Sequence, residues 1–221
     1  GIPNEFLKQS GTTFRVHLLD FFNSLMRSGR VVKDWNVGIM FVLFKKGDRT
    51  DLQNYRGITV NPNISKLFTR ILEERLMIIV EDQGLLGEVQ GATRKGRPTP
   101  DNIFTLSTIL EKARKMKLHK TSIAFVDMKK AYDMVDREKL WAILEKEGLG
   151  GNFLELIKSM YKDGKIMVEI NGERTDPIYP GRGLKQGCVL SPILFALYLN
   201  GLGNELQETM LGIKLKKSVI S

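Results

Sequence analysis

Residues 121–141 read TSIAFVDMKKAYDMVDREKLW, and the rest of the chain is arranged around them. Ile123, Ala124, Phe125 and Val126 form a short β-branched and aromatic run that ends on Asp127. The run predicts a buried strand, with a carboxylate where the strand leaves its sheet. A carboxylate so placed is half desolvated and costly to leave unpaired; a divalent cation would offset that cost. Lys129-Lys130-Ala131-Tyr132-Asp133 follows as a tight polar turn. Asp136 reads as the N-cap of a helix over 137–147, closed by Gly148. A plainer reading stands beside the metal ligand, since aspartates at strand ends are common turn formers and caps. Asp133 and Asp136 suit turn and cap better than coordination.

At 221 residues the chain is long enough for a sizeable core, as one large domain or two subdomains. Hydrophobic residues at 42% and charged residues at 27% are ordinary for a soluble globular protein. No apolar run reaches the length of a bilayer span, so no membrane partner is expected. The first residue is Gly rather than Met, as in a segment of a longer protein. The single cysteine, Cys188, excludes an internal disulfide. Two histidines, with no CxxC or HExxH spacing, give no zinc signature. Lys and Arg number 34 against 25 Asp and Glu, and the net charge of +9 suits a polyanionic partner.

Before the central stretch, residues 4–7 and 13–26 read as helices. In the second, Phe14, Leu18, Phe21, Phe22 and Leu25 recur at helical spacing and Gly29 stands at the C-cap. Two strand-like runs, 37–44 and 55–60, are joined by a loop containing Lys45, Lys46, Gly47 and Asp48, which predicts a hairpin presenting Lys45 or Lys46 and Arg56. Residues 63–80 form an amphipathic helix with Ile64, Leu67, Phe68, Ile71, Leu72 and Leu76 inward. Residues 90–99 are a glycine-containing loop whose Arg94, Lys95 and Arg97 could follow a phosphate backbone. Asp101 can cap the next helix, whose Ile103, Leu106, Leu110 and Ala113 make a stripe expected to be buried.

After the central stretch, a helix from Asn152 turns Phe153, Leu156, Ile157 and Met160 inward. Residues 166–170 read as a strand, and Asn171-Gly172 signals a tight hairpin. Ser191-Pro192 opens a deeply buried helix, serine as N-cap and proline at the first helical position. Helices alternate with short strands and hairpins, so the expected class is α+β, with helices packed on an antiparallel sheet.

Two segments resemble motifs of reverse transcriptases from non-LTR (LINE-type) retrotransposons. FVDMKKAYD at 125–133 is similar to their first catalytic motif, and GLKQGCVLSPILF at 183–195 to their second palm motif. The resemblance implies a right-hand polymerase-like fold, with fingers over 1–120 and a partial palm over 121–221. It implies an RNA template, a DNA primer, dNTP substrates and magnesium. Asp127 would be the catalytic carboxylate and metal ligand, helped by the backbone carbonyl at Met128. Lys45 and Arg56 would grip the triphosphate. Tyr132 would lie under the nucleotide sugar and exclude a 2′-hydroxyl, and Gln186 and Gly187 would sit beside the nascent base pair. At 90–99 the family favours an aromatic where Ala92 stands, so a stacking contact is expected to be lost.

The family also uses a later pair of aspartates. No Asp-Asp occurs in this sequence, and the last aspartate is Asp176. The expectation is therefore a segment that stops before the catalytic Asp-Asp hairpin and the thumb and is inactive alone, the remaining palm, thumb and possibly an endonuclease belonging to a parent chain. The competing reading is a non-catalytic nucleic-acid-binding or scaffold remnant of such an element.

Overall fold

The computed structural model describes residues 2–88, 90–92, 94, 96–116, 121–208, 213–215 and 218–220. Its core is helical. A short helix α1 (Asn4–Gln9) leads into α2 (Thr12–Ser28), which ends where Gly29 takes the left-handed conformation at φ 63° and donates its N–H to the Leu25 carbonyl. From α2, Phe22 and Leu25 reach the core, while Phe21 stays 37% exposed against Trp35. Helix α3 (Asn63–Asp82) buries Phe68, Leu72, Leu76 and Val80 on one stripe; Leu67 falls at its edge and is 38% exposed. The rings of Phe22, Trp35 and Phe68 meet at 5.0 and 5.6 Å.

The remaining core helices come from the second half. Asp136 caps α5 (Arg137–Lys146) by accepting from the Lys139 N–H, and Gly148 follows it at φ 79°. Helix α6 (Gly151–Tyr161) buries Leu154, Leu156, Ile157 and Met160. Helix α7 (Ser191–Glu208) buries Ile193, Leu194, Ala196 and Leu197, as its apolar composition predicts. Ser191 is not its cap. The Leu190 carbonyl accepts the first helical bond, and the Ser191 hydroxyl turns back to the Lys185 carbonyl at 2.7 Å.

The sheet lies beside this core. Strands β1 (Val37–Phe44) and β2 (Tyr55–Val60) form the expected antiparallel hairpin, in register from Ile39↔Val60 to Phe44↔Tyr55. Strand β3 (Lys165–Ile170) joins the other side of β1, and β4 (Glu173–Arg174) returns from it. Asn171 and Gly172, at φ 53° and 85°, make the tight turn between them. The expectation of an antiparallel sheet is corrected: β1 and β3 run parallel, from Val37↔Lys165 to Phe41↔Glu169, so the four-stranded sheet is mixed. Their connection passes through the helical core rather than a tight turn, and only such a crossover brings two strands together in the same direction. A two-stranded hairpin, β5 (Ile213–Leu215) with β6 (Ser218–Ile220), follows α7.

Three further expectations are overturned. Residues 123–126 form no strand; Phe125 and Val126 are each 84% exposed. Strand propensity is realised only against a neighbouring strand, and residues 123–126 pair with none of β1 to β4. Helix α4 (Thr99–Lys115) forms, but of its predicted buried stripe only Ala113 is buried, Leu106 is half-buried, and Ile103 and Leu110 are exposed. No described element covers that face. Pro98, not Asp101, holds the position before its first turn.

Candidate functional site

The hairpin is built to hold its loop in one shape. Asp48 accepts from both the N–H and the hydroxyl of Thr50 at 2.8 Å, bonds that hold its carboxyl below the usual carboxylate range. Asn54 donates to the Asp48 carbonyl, and the Lys45 N–H continues the ladder onto the Asn54 carbonyl at 2.8 Å. Arg56 pairs across with Leu43. Side chains alternate along a strand, so Lys45, which continues the ladder, shares the face of Leu43 and Arg56, while Lys46 lies in the bend beyond it. Lys45 and Arg56 are both exposed.

The two segments that carry the family resemblance meet directly. Gly183 donates to the Val135 carbonyl and Leu184 to the Tyr132 carbonyl, both at 2.8 Å. The Gln186 side-chain amide donates to Asp133 Oδ1 at 2.7 Å. Gly183 sits at φ 87°, and a Cβ there would come within 2.9 Å of the Asp133 backbone. Gly187, at φ 89°, presses on β2, where a Cβ would stand 2.8 Å from the Thr59 carbonyl. One loop thus touches both the Tyr132–Asp133 turn and the strand that bears Arg56. Tyr132 is stacked on Phe195, centroids 5.0 Å apart at 24°, and partial burial raises its hydroxyl pKa. Arg137 clamps the approach to the loop by donating to the carbonyls of Pro180, Arg182 and Gly183. These contacts of Asp133 and Arg137 have no sequence signature, since each joins residues far apart in the chain.

Asp127 is exposed on the irregular segment leading into this junction, and its carboxylate makes no hydrogen bond or ion pair among the described residues. Met128 beside it is 42% exposed. No group of three or more His, Cys, Asp or Glu side chains that could hold a metal occurs among the described residues. The residues described therefore do not by themselves fit a magnesium site.

Arg94 departs from its sequence expectation. Arg94 does not face a backbone of phosphates: its side chain is 6% exposed and closes a two-pronged pair with Glu81 at 2.8 and 2.7 Å. The same guanidinium also donates to the carbonyls of Gly87 and Gln90. Its hydrogen bond holds the Glu81 carboxyl below the usual range. Arg97 pairs with Glu88 at 2.6 Å, and Lys95 lies outside the described residues. Replacing Arg94 by Met should lower the unfolding free energy by about 2 kcal/mol in urea titration, because two half-buried carbonyls lose their donor. Glu81 is 41% exposed and regains water, so the loss stays below that of a fully buried pair. An unchanged midpoint would show that the pair holds nothing.

The sequence that builds this junction is similar to those of known proteins. The family model for reverse transcriptase (RNA-dependent DNA polymerase) matches residues 44–220, and the chain belongs to that family. Among curated relatives, the transposon TX1 uncharacterized 149 kDa protein of Xenopus laevis is 28% identical over 219 residues, 98% of this chain and 16% of the relative. The probable RNA-directed DNA polymerase from transposon X-element of Drosophila melanogaster is 29% identical over 198 residues, 89% of this chain and 22% of the relative. A Pol polyprotein from the type-1 retrotransposable element R2 of Popillia japonica is 30% identical over 183 residues, 82% of this chain and 25% of the relative. The chain thus spans a quarter or less of the length of these relatives. They are proteins of non-LTR mobile elements, as the two motifs imply.

Proposed function

We propose that this chain is the nucleotide-binding part of an RNA-directed DNA polymerase of a non-LTR retrotransposon, with fingers over 1–120 and part of the palm over 121–221. The observation that supports this best is the seating of the 183–188 loop on both the Tyr132–Asp133 turn and β2 at Thr59. The partners are an RNA template, a DNA primer and dNTPs.

In this reading Lys45 and Arg56 hold the triphosphate from one face of the hairpin, Arg through a two-pronged contact and Lys as a point charge. Tyr132, immobilised on Phe195, sets the floor under the sugar. Gln186 is oriented by Asp133 toward the nascent pair, and Gly187 lets the backbone come close. Arg97 and Lys95 remain candidates for template contact; Arg94 does not. Asp127 is the catalytic carboxylate. A divalent ion, magnesium in the family resemblance, would need ligands besides Asp127 and the carbonyl of Met128. Relatives named as RNA-directed DNA polymerases favour catalysis over a purely scaffolding role.

Fluorescence titration of the chain with a labelled dNTP tests the nucleotide site. Arg56→Gln should weaken binding about tenfold or more, the worth of one charge-assisted contact to phosphate. The corresponding ribonucleotide should bind more weakly than the dNTP, and Tyr132→Ala should close that gap. Equal affinity for dNTP and nucleoside, or an Arg56→Gln variant with native affinity, would remove the proposal.

A further inference from the structure

We infer that Arg137 is a positioning residue for the nucleotide site: it grips two successive peptide groups of the 182–184 loop and so fixes the turn that carries Tyr132. This role rests on the polymerase reading of Tyr132, and Arg137 is none of the residues proposed there to touch the nucleotide.

Arg137 stands at the first position of α5, directly after the Asp136 cap, and Leu140, Trp141 and Leu144 fix the helix behind it in the core. Its guanidinium lies 5.1 Å from the centre of the buried Tyr161 ring on α6. Each of its three nitrogens serves a different backbone carbonyl. Nε donates to Gly183 at 2.8 Å, Nη1 to Pro180 at 3.0 Å and Nη2 to Arg182 at 3.2 Å. Among the described residues it has no carboxylate partner. A guanidinium is a rigid planar fork, so carbonyls that converge on it are held in one mutual geometry.

Two of those carbonyls belong to peptide groups that are also held at the other end. The Arg182 carbonyl shares its peptide plane with the Gly183 N–H, which donates to the Val135 carbonyl at 2.8 Å. The Gly183 carbonyl shares its plane with the Leu184 N–H, which donates to the Tyr132 carbonyl at 2.8 Å. Arg137 thus holds one end of each plane while the 132–135 turn holds the other. A bond made at a carbonyl also strengthens the bond its own amide makes. Gly183 and Leu184 are buried, so water does not readily replace a lost donor. Gln186, two residues further on, donates to Asp133 in the same turn. A clamp that only stabilised the fold would act alike on every ligand. One that sets the height of the Tyr132 turn acts on the sugar.

The labelled-nucleotide titration, run on Arg137→Met with a dNTP and the matching ribonucleotide, separates the two roles. The gap between the two affinities should narrow about fivefold, as when the seated loop is populated only part of the time, although Tyr132 itself is unchanged. A mere loss of folded protein lowers both affinities alike and leaves their ratio native. Amide hydrogen exchange at Gly183 and Leu184 should quicken about tenfold or more, beyond any change across α2. Arg137→Lys keeps the charge without the fork and should narrow the gap as well, which keeps the test decisive if the Met variant does not fold. A wild-type chain that does not discriminate between the sugars removes the polymerase reading itself. A discriminating wild type beside a folded Arg137 variant of the same ratio, or native exchange at Gly183 and Leu184 in that variant, overturns the role of Arg137 alone.

Discussion

Asp127→Ala, made in the longest chain that carries this segment, should reduce primer extension on an RNA template by a thousandfold or more while leaving the melting transition unchanged. The two halves of that result come from different observations. Asp127 is exposed and its carboxylate has no partner among the described residues, so truncation removes no contact, and surface changes of that kind stay within about 0.5 kcal/mol. The family resemblance, on the other hand, assigns this carboxylate to the reacting phosphates, and removing a group that acts in the transition state costs orders of magnitude in rate. Asp127→Asn keeps the size and removes the charge, and should be nearly as inactive. Asp133→Asn is the informative neighbour, because it can still accept from Gln186 and should leave measurable synthesis. Full activity in Asp127→Ala would move the catalytic role to another residue.

Gly183→Ala should cost about 3 kcal/mol of stability, a large share of what a domain of this size has to spare. The backbone at Gly183 has φ 87°, a region that L residues enter only under strain. The added methyl would also meet the Asp133 Cα and carbonyl at 2.9 Å and the Tyr132 carbonyl at 3.0 Å, all backbone atoms that no side-chain rotation can move aside. The hydrogen bonds from Gly183 to Val135 and from Leu184 to Tyr132 would have to lengthen, and the loop would lift from the turn. Gly181→Ala, two residues earlier, is the control. A Cβ there meets nothing within 4 Å, and its effect should stay within about 0.5 kcal/mol. Denaturant midpoints for the pair read the difference directly; equal midpoints would show that the loop yields without cost.

What the sequence made legible was local chemistry. Asn171-Gly172 announced its hairpin because both residues tolerate positive φ, as does Gly148 after α5, while Asp136 opened that helix through its side-chain acceptor. The strands of the first hairpin were readable from composition, since they pair with near neighbours. Apart from the caps of α4 and α7, the misreadings concern partners remote in the chain. Residues 123–126 have the composition of a strand but pair with no described strand. Ile103 and Leu110 have the spacing of a buried stripe but no covering element. Arg94 stood in a basic loop like its neighbours, yet Glu81 on α3 draws it inward. Within the candidate site, residue types were visible from the motifs, while the geometry joining Gln186 to Asp133 and Gly187 to Thr59 was not.

The parallel pairing of β1 with β3 has a kinetic consequence. Its partners are more than a hundred residues apart, so the first hairpin cannot gain its third strand until the ribosome has delivered Lys165–Ile170. At about 5–20 residues per second that delay lasts several seconds or longer. During it the Gly38–Phe41 edge stands open, a temporary invitation to wrong partners. Such distant pairing also slows refolding from denaturant relative to the helices, which close on nearer contacts.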